Sequence, residues 1–188
     1  LNPATDFTLI WPETRQGKNV PKEYETIAYV GYDQDAIYVG AILKHPHPDK
    51  MPKEFSQRDD IWDVNAETFF VTFNTYNDDL NFFGFQVTSA GSVGDVYSSG
   101  SIESDDFLYD TVFDAKTHIS PDGWSVEMAI PYSAIRFPEK DEQLWGLNFG
   151  RKIQSLDETF VWSPVNVNEL EYHESNGTLT GIKNISPP

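Results

Sequence analysis

The 188-residue chain contains no cysteine and only two methionines. Disulfides and thiolate metal sites are therefore excluded. It is also poor in positive charge: thirteen Lys and Arg against thirty Asp and Glu leave a formal charge of -17. Such a surface repels a phosphate backbone, and no basic stripe interleaved with aromatics occurs, so nucleic acid is not an expected partner. No run of about 18 apolar residues is present to cross a bilayer as a helix, and no signal peptide is read at Leu1. The parts of common enzymes are missing as well. There is no G-x-S-x-G elbow, no phosphate-cradling glycine loop, no H-E-x-x-H pair and no thiol nucleophile. Two of the thirty carboxylates would suffice for glycoside hydrolysis, but nothing singles out a pair. His45-Pro46-His47 reads as a solvated loop. Met128 falls on an alternating core face, and although Met51 lies near two histidines, haem ligation is set aside. No enzyme activity is expected.

What the chain does have is aromatic content, 14% of residues, arranged in short runs of period two between Gly, Pro, Asn and Asp. These predict strands over TIAYVG, AIYVGAILK, AETFFVTFN, NFFGFQVTS, VYSSGSI, TVFDAKTHI, WSVEMAIP, WGLNFGRKIQ, ETFVWSP and GTLTGIKN. In WSVEMAIP, Trp124, Val126, Met128 and Ile130 share one face. Trp145 and Trp162 also fall on regular strand positions and read as core. The only helical chemistry is PYSAIRF, with Pro131 at a first-turn position. The fold class is all-β, an antiparallel two-sheet sandwich with one short helix. Residues 1–184 read as a single domain and 185–188, ISPP, as the start of a linker.

The series YDQDAIYVGAIL, RDDIW, FNTYND with NFFGFQV, DGWSVEMAIPYSAIRFP, WGLNFGRKI, VWSPV and GTLTGI resembles the family 9 carbohydrate-binding module-like domain. It is most similar to the form found N-terminal to a predicted outer-membrane β-barrel in bacterial envelope proteins. The resemblance spans Phe7 to Ile185, and it implies a preceding strand, so LNPATDF is expected to be a late start. It further implies a non-catalytic saccharide-binding domain, exported to the periplasm or cell surface and attached to a barrel.

The acidic loop QRDDIWD carries Trp62 where family 9 modules that bind sugar have one of two stacking aromatics. A pyranose needs flat apolar faces for its C–H surface and polar groups at the rim. By the resemblance Trp62 supplies one face, and Tyr172 is the nearest substitute for the second. Gln86 stands where the family has an arginine, Arg151 follows Gly150 where it has an amide, and Arg58 adds a donor in the loop itself. Part of the sugar motif is thus missing, and a loop-packing role for Trp62 stays open beside the sugar platform. With it stays a second function: a structural or interaction domain of an outer-membrane protein that has lost sugar binding. Asp59, Asp60 and Asp78, with Asp63, Asn77 and Asp79 nearby, can offer oxygens to a hard cation, and the family commonly holds structural calcium.

Overall fold

The computed structural model describes residues 2–61, 63–78, 80–99, 106, 109–164 and 176–188. Among the described residues eleven strands occur in chain order: β1 (Thr8–Trp11), β2 (Thr26–Tyr32), β3 (Ala36–Lys44), β4 (Thr68–Asn74), β5 (Asn81–Thr88), β6 (Val93–Ser99), β7 (Asp114–Ser120), β8 (Gly123–Pro131), β9 (Glu142–Ile153), β10 (Glu158–Val161) and β11 (Gly177–Lys183). They form two antiparallel sheets, a four-stranded one in the order β2-β3-β8-β7 and a seven-stranded one in the order β1-β10-β9-β4-β5-β6. β9 is long enough for β11 to pair with its first half and β10 with its last residues.

The alternation read from sequence is what joins the sheets. Val39, Ala41 and Leu43 of β3 and Trp124, Val126, Met128 and Ile130 of β8 meet Phe69, Val71 and Phe73 of β4 and Phe83, Phe85 and Val87 of β5 in one core. Trp145 is fully enclosed there, whereas Trp162 is only partly buried against it. Met51 and Met128 both lie in the same core, Met51 at 4% exposure, consistent with packing.

β4 departs from simple alternation, since every residue of TFFVTFN is buried. Its outward side chain Phe70 joins Ile10 and Val161 in a second apolar cluster, so the outer face of the large sheet is covered at its centre. Gly150, across from Phe70, makes this possible: a Cβ there would stand 2.0 Å from the Phe70 ring.

Three expectations are corrected. PYSAIRF forms only a single 3-10 turn, Tyr132–Ala134, before Ile135 returns to extended backbone. One isolated turn cannot repay helix nucleation, and burial of Tyr132 and Ala134 holds it instead. His45 is 5% exposed, not solvated. Ile185, read as the start of a linker, packs into the core.

Candidate functional site

The loop that leads to Trp62 is tied to the edge of the large sheet. The Ser56 N–H donates to Ser92 Oγ (2.9 Å), the Asp59 N–H to the Val93 carbonyl (3.1 Å), and the Asp95 N–H back to Asp59 Oδ1 (2.9 Å). The loop thereby satisfies the Val93 carbonyl and the Asp95 N–H on the open edge of β6, while Tyr97 pairs with Asp106. Asp59 sits at φ 66, a left-handed conformation that a short polar side chain tolerates. The close docking needs Gly94, where an added Cβ would stand 3.1 Å from Ile61 Cδ1 and 3.2 Å from Asp59 Oδ1.

Arg58 is the centre of the loop's electrostatics. Its Nη2 bonds Asp95 Oδ1 and, at 2.7 Å, the Thr111 carbonyl. Its Nε lies 3.0 Å from Asp110 Oδ1 and 3.7 Å from Asp59 Oδ2, and its guanidinium stands 5.5 Å from the centre of the Phe113 ring. Asp95 accepts two further bonds from Thr111, from its N–H at 2.7 Å and its hydroxyl at 2.9 Å. Burial pushes the Asp59 carboxyl up from its ordinary value, while the Asp95 N–H pulls it down and the Asp95 charge pushes it up.

Asp59, Asp95 and Asp110 bring one carboxylate oxygen each within 4.8 Å of one another and could hold a metal ion. Calcium asks for six to eight oxygens, and the positive charge these three already share is the Arg58 guanidinium. The predicted partners of Asp59 are not with it. Asp60 is exposed and lies outside the triad. Asp78 closes its own turn, accepting from the Leu80 N–H (3.0 Å), the Asn81 N–H (3.0 Å) and Asn81 Nδ2 (2.6 Å). Partial burial pushes its carboxyl up, but those donors together hold it below the ordinary value. Asp95 and Asp110 were missed by sequence reasoning. The signal available for Asp95 was its place between Val93 and Tyr97 on the inward side of β6, where a charge requires a partner.

Among the sugar-site residues, Trp62 and Tyr172 lie outside the described residues. Gln86, on the outer face of β5, pairs across the sheet with Phe70 on one side and Gly94 on the other. It is 4% exposed, and its Oε1 has no hydrogen-bond partner among the described residues. Ile61, the residue before Trp62, packs over Gly94, so the loop arrives beside Gln86. Arg58 is committed to the loop. Arg151 is fully enclosed at 0% exposure: Nη1 donates to the Tyr24 carbonyl (2.9 Å), and Nη2 pairs with Glu67 Oε2 (3.2 Å). It does not reach a rim, because a buried guanidinium needs a buried counter-ion and Glu67 supplies one. His45 completes this group, with Nε2 3.9 Å from Glu67 Oε1.

No protein-family model matches the chain, and no curated protein matches its sequence. Solved structures match its fold. A candidate carbohydrate-binding protein from Bacteroides uniformis superposes with a TM-score of 0.69 at 16% identity, over 96% of this chain and 86% of that one. A family 9 carbohydrate-binding module from Caldicellulosiruptor kristjanssonii, solved with cellotriose, gives 0.62 at 14% identity over 100% and 84%. A family 9 module of that organism with glucose gives 0.58 at 15% over 90% and 80%. The chain has the two-sheet sandwich fold of these proteins.

Proposed function

We propose that this chain is a non-catalytic saccharide-binding module whose site lies on the outer face of the seven-stranded sheet, where the 57–61 loop meets β5 and β6. The observation that carries it is Gln86. A buried acceptor without a partner is costly, and a sugar hydroxyl arriving from the loop side would supply the missing donor. Arg58, Asp59 and Asp95 are the clamp that holds the loop there, not ligands of the sugar. The likeness to modules solved with cellotriose and glucose supports the ligand class.

With Trp62 as the main stacking surface, affinity is expected to be weak, on the order of 0.1 to 1 mM, or about 4 to 5.5 kcal/mol. Calorimetric titration of neutral oligosaccharides against the native chain, Trp62→Ala and Gln86→Leu tests this. Both variants should lose binding at least tenfold. Equal binding by all three would remove the Trp62–Gln86 site, and no binding by any of them would favour a structural or interaction domain.

Calcium, in this reading, occupies the aspartate triad only where it displaces Arg58. Export to the envelope and attachment to an outer-membrane barrel rest on the sequence resemblance. Cell fractionation that left the parent protein in the cytoplasm would remove both.

A further inference from the structure

The outer face of the four-stranded sheet carries a trough of about 640 Å³, remote in the fold from the edge strand that holds the Trp62 loop. Its pattern follows from strand register. Tyr29 of β2 stands across from Gly40 of β3, and Tyr38 of β3 across from Gly31 of β2. The rows continue into β8 and β7, Gly40 to Glu127 to Lys116 and Tyr38 to Ala129 to Asp114. Each tyrosine thus faces a position with no side chain. Tyr38 is 42% exposed, and its hydroxyl donates to Asp33 Oδ2 at 2.8 Å. The Asp33 carboxylate also takes the Asp35 and Ala36 N–H groups of the hairpin turn at 2.8 and 3.0 Å. The ring is anchored at its tip and bare on its flank.

The two glycines are not required by the fold. β2 and β3 pair continuously from Thr26↔Leu43 to Tyr32↔Ile37 with no bulge. Neither glycine has a left-handed φ. A Cβ at Gly31 would meet nothing within 4 Å, and one at Gly40 only the Val126 carbonyl at 3.9 Å. A glycine inside a strand weakens it and marks a bulge, a tight bend or a close approach by another molecule. The bulge is absent, and the space above both glycines is open to an approaching molecule.

We infer that this trough is a second binding site, for a short neutral oligosaccharide lying across β2 and β3 against Tyr29 and Tyr38. The volume falls in the range of small-ligand sites. Uncovered aromatic faces suit the C–H surface of pyranoses, and Glu127, Lys116 and Asp114 provide acceptors and donors for hydroxyls along one side. An anionic ligand would meet two carboxylates against one ammonium on a chain of charge -17. The site shares its ligand class with the proposed function but does not depend on Trp62.

Gly40→Val gives a direct test, because valine suits a strand and fills the trough without touching the core. Binding of cellohexaose, xylohexaose and mannohexaose would be followed by saturation-transfer NMR and calorimetry. The proteins compared would be native, Gly40→Val, Tyr38→Ala, Trp62→Ala and the Trp62→Ala/Gly40→Val pair, each with its melting temperature. The expected result is residual binding of at least one hexasaccharide by Trp62→Ala. Adding Gly40→Val should lower that binding at least tenfold, Tyr38→Ala should weaken the native protein's second event, and Gly40→Val should melt at or above the native temperature. If Trp62→Ala alone removes all binding, the trough is overturned and the Trp62 site stands. If Gly40→Val removes all binding while Trp62→Ala changes nothing, the trough stands and the Trp62 site fails. A double variant that binds like Trp62→Ala, or a Gly40→Val protein that melts well below native, overturns the trough. No response from the native chain overturns both.

Discussion

Arg58 makes contact with three carboxylates, Asp59, Asp95 and Asp110, and Asp95 is itself fully buried. Removing the guanidinium leaves that buried charge, among the described residues, with only the Thr111 donors. Loss of a charged partner of this kind costs about 1.5–3 kcal/mol. At about 2–4 °C per kcal/mol for a domain of this size, Arg58→Gln should therefore melt about 3 to 12 °C lower. It should also gain what the native chain lacks. With the triad unneutralised, millimolar calcium binds only the folded state and raises the melting temperature, while the native protein responds little. Differential scanning fluorimetry with calcium and with chelator reads both. A native protein stabilised by calcium as strongly as Arg58→Gln would show that the arginine does not stand in for a cation. At this scale the sequence revealed residue types and not partners. The acidity of QRDDIWD was plain, but Asp95 and Thr111 are brought to Arg58 from 37 and 53 positions away. Arg151 was misplaced at a rim for the same reason, since the Glu67 that encloses it lies 84 positions earlier.

Strands were legible wherever one face is core, because burial on one side writes period two directly into the chain. The β2–β3 and β7–β8 hairpins follow that rule. β1, TLIW, went unread, whereas the equally short β10 was found inside the longer run ETFVWSP. In β4 the second buried face hides the alternation, and the covering of the outer face rests on one pairing, Phe70 over Gly150. A Cβ 2.0 Å from that ring cannot be accommodated in place. Gly150→Ala must shift the ring or the sheet, an overpacking cost of about 1–3 kcal/mol. Phe70→Leu alone should also destabilise, by lost packing. The two changes combined should cost less than the sum of their single effects, since the smaller side chain vacates the contested space. Chemical denaturation of the four proteins measures the coupling. Strict additivity would mean that the two residues do not compete for one volume.

For the whole molecule, acid sensitivity follows from the one buried imidazole among the described residues of an otherwise anionic chain. His47 and His118 are exposed, whereas His45 is 5% exposed. The His47 N–H donates to its Nδ1 at 3.0 Å, which leaves the neutral ring's proton on Nε2, 3.9 Å from Glu67 Oε1. Tyr24 packs edge-on against the ring at 5.2 Å, and Arg151, Asp49 and His47 are the other charges around it. Burial, then the Arg151 charge, hold His45 below its ordinary value of 6.5. Below about pH 6.5 the unfolded chain therefore binds a proton that the folded one refuses, so stability falls as pH drops, by up to about 1.4 kcal/mol per pH unit. Glu67 acts in the opposite sense. Burial outweighs the pull of Arg151 and raises its carboxyl above 4.5, so the folded chain takes up that proton first and stability rises as pH falls toward the unfolded value. Asp33 and Asp78, held low by hydrogen bonds, lose their contribution only below about pH 3.8. As pH falls from 7 to 5.5, the loss from His45 is opposed in direction by Glu67 and Asp59, both raised by burial. His45→Gln can keep the bond from the His47 N–H through its side-chain oxygen and cannot be protonated. Its stability should hold or rise from pH 7 to 5.5, while the native protein declines relative to it. Parallel pH dependences in urea unfolding of the two proteins would mean that His45 is already as free to charge when folded as when unfolded.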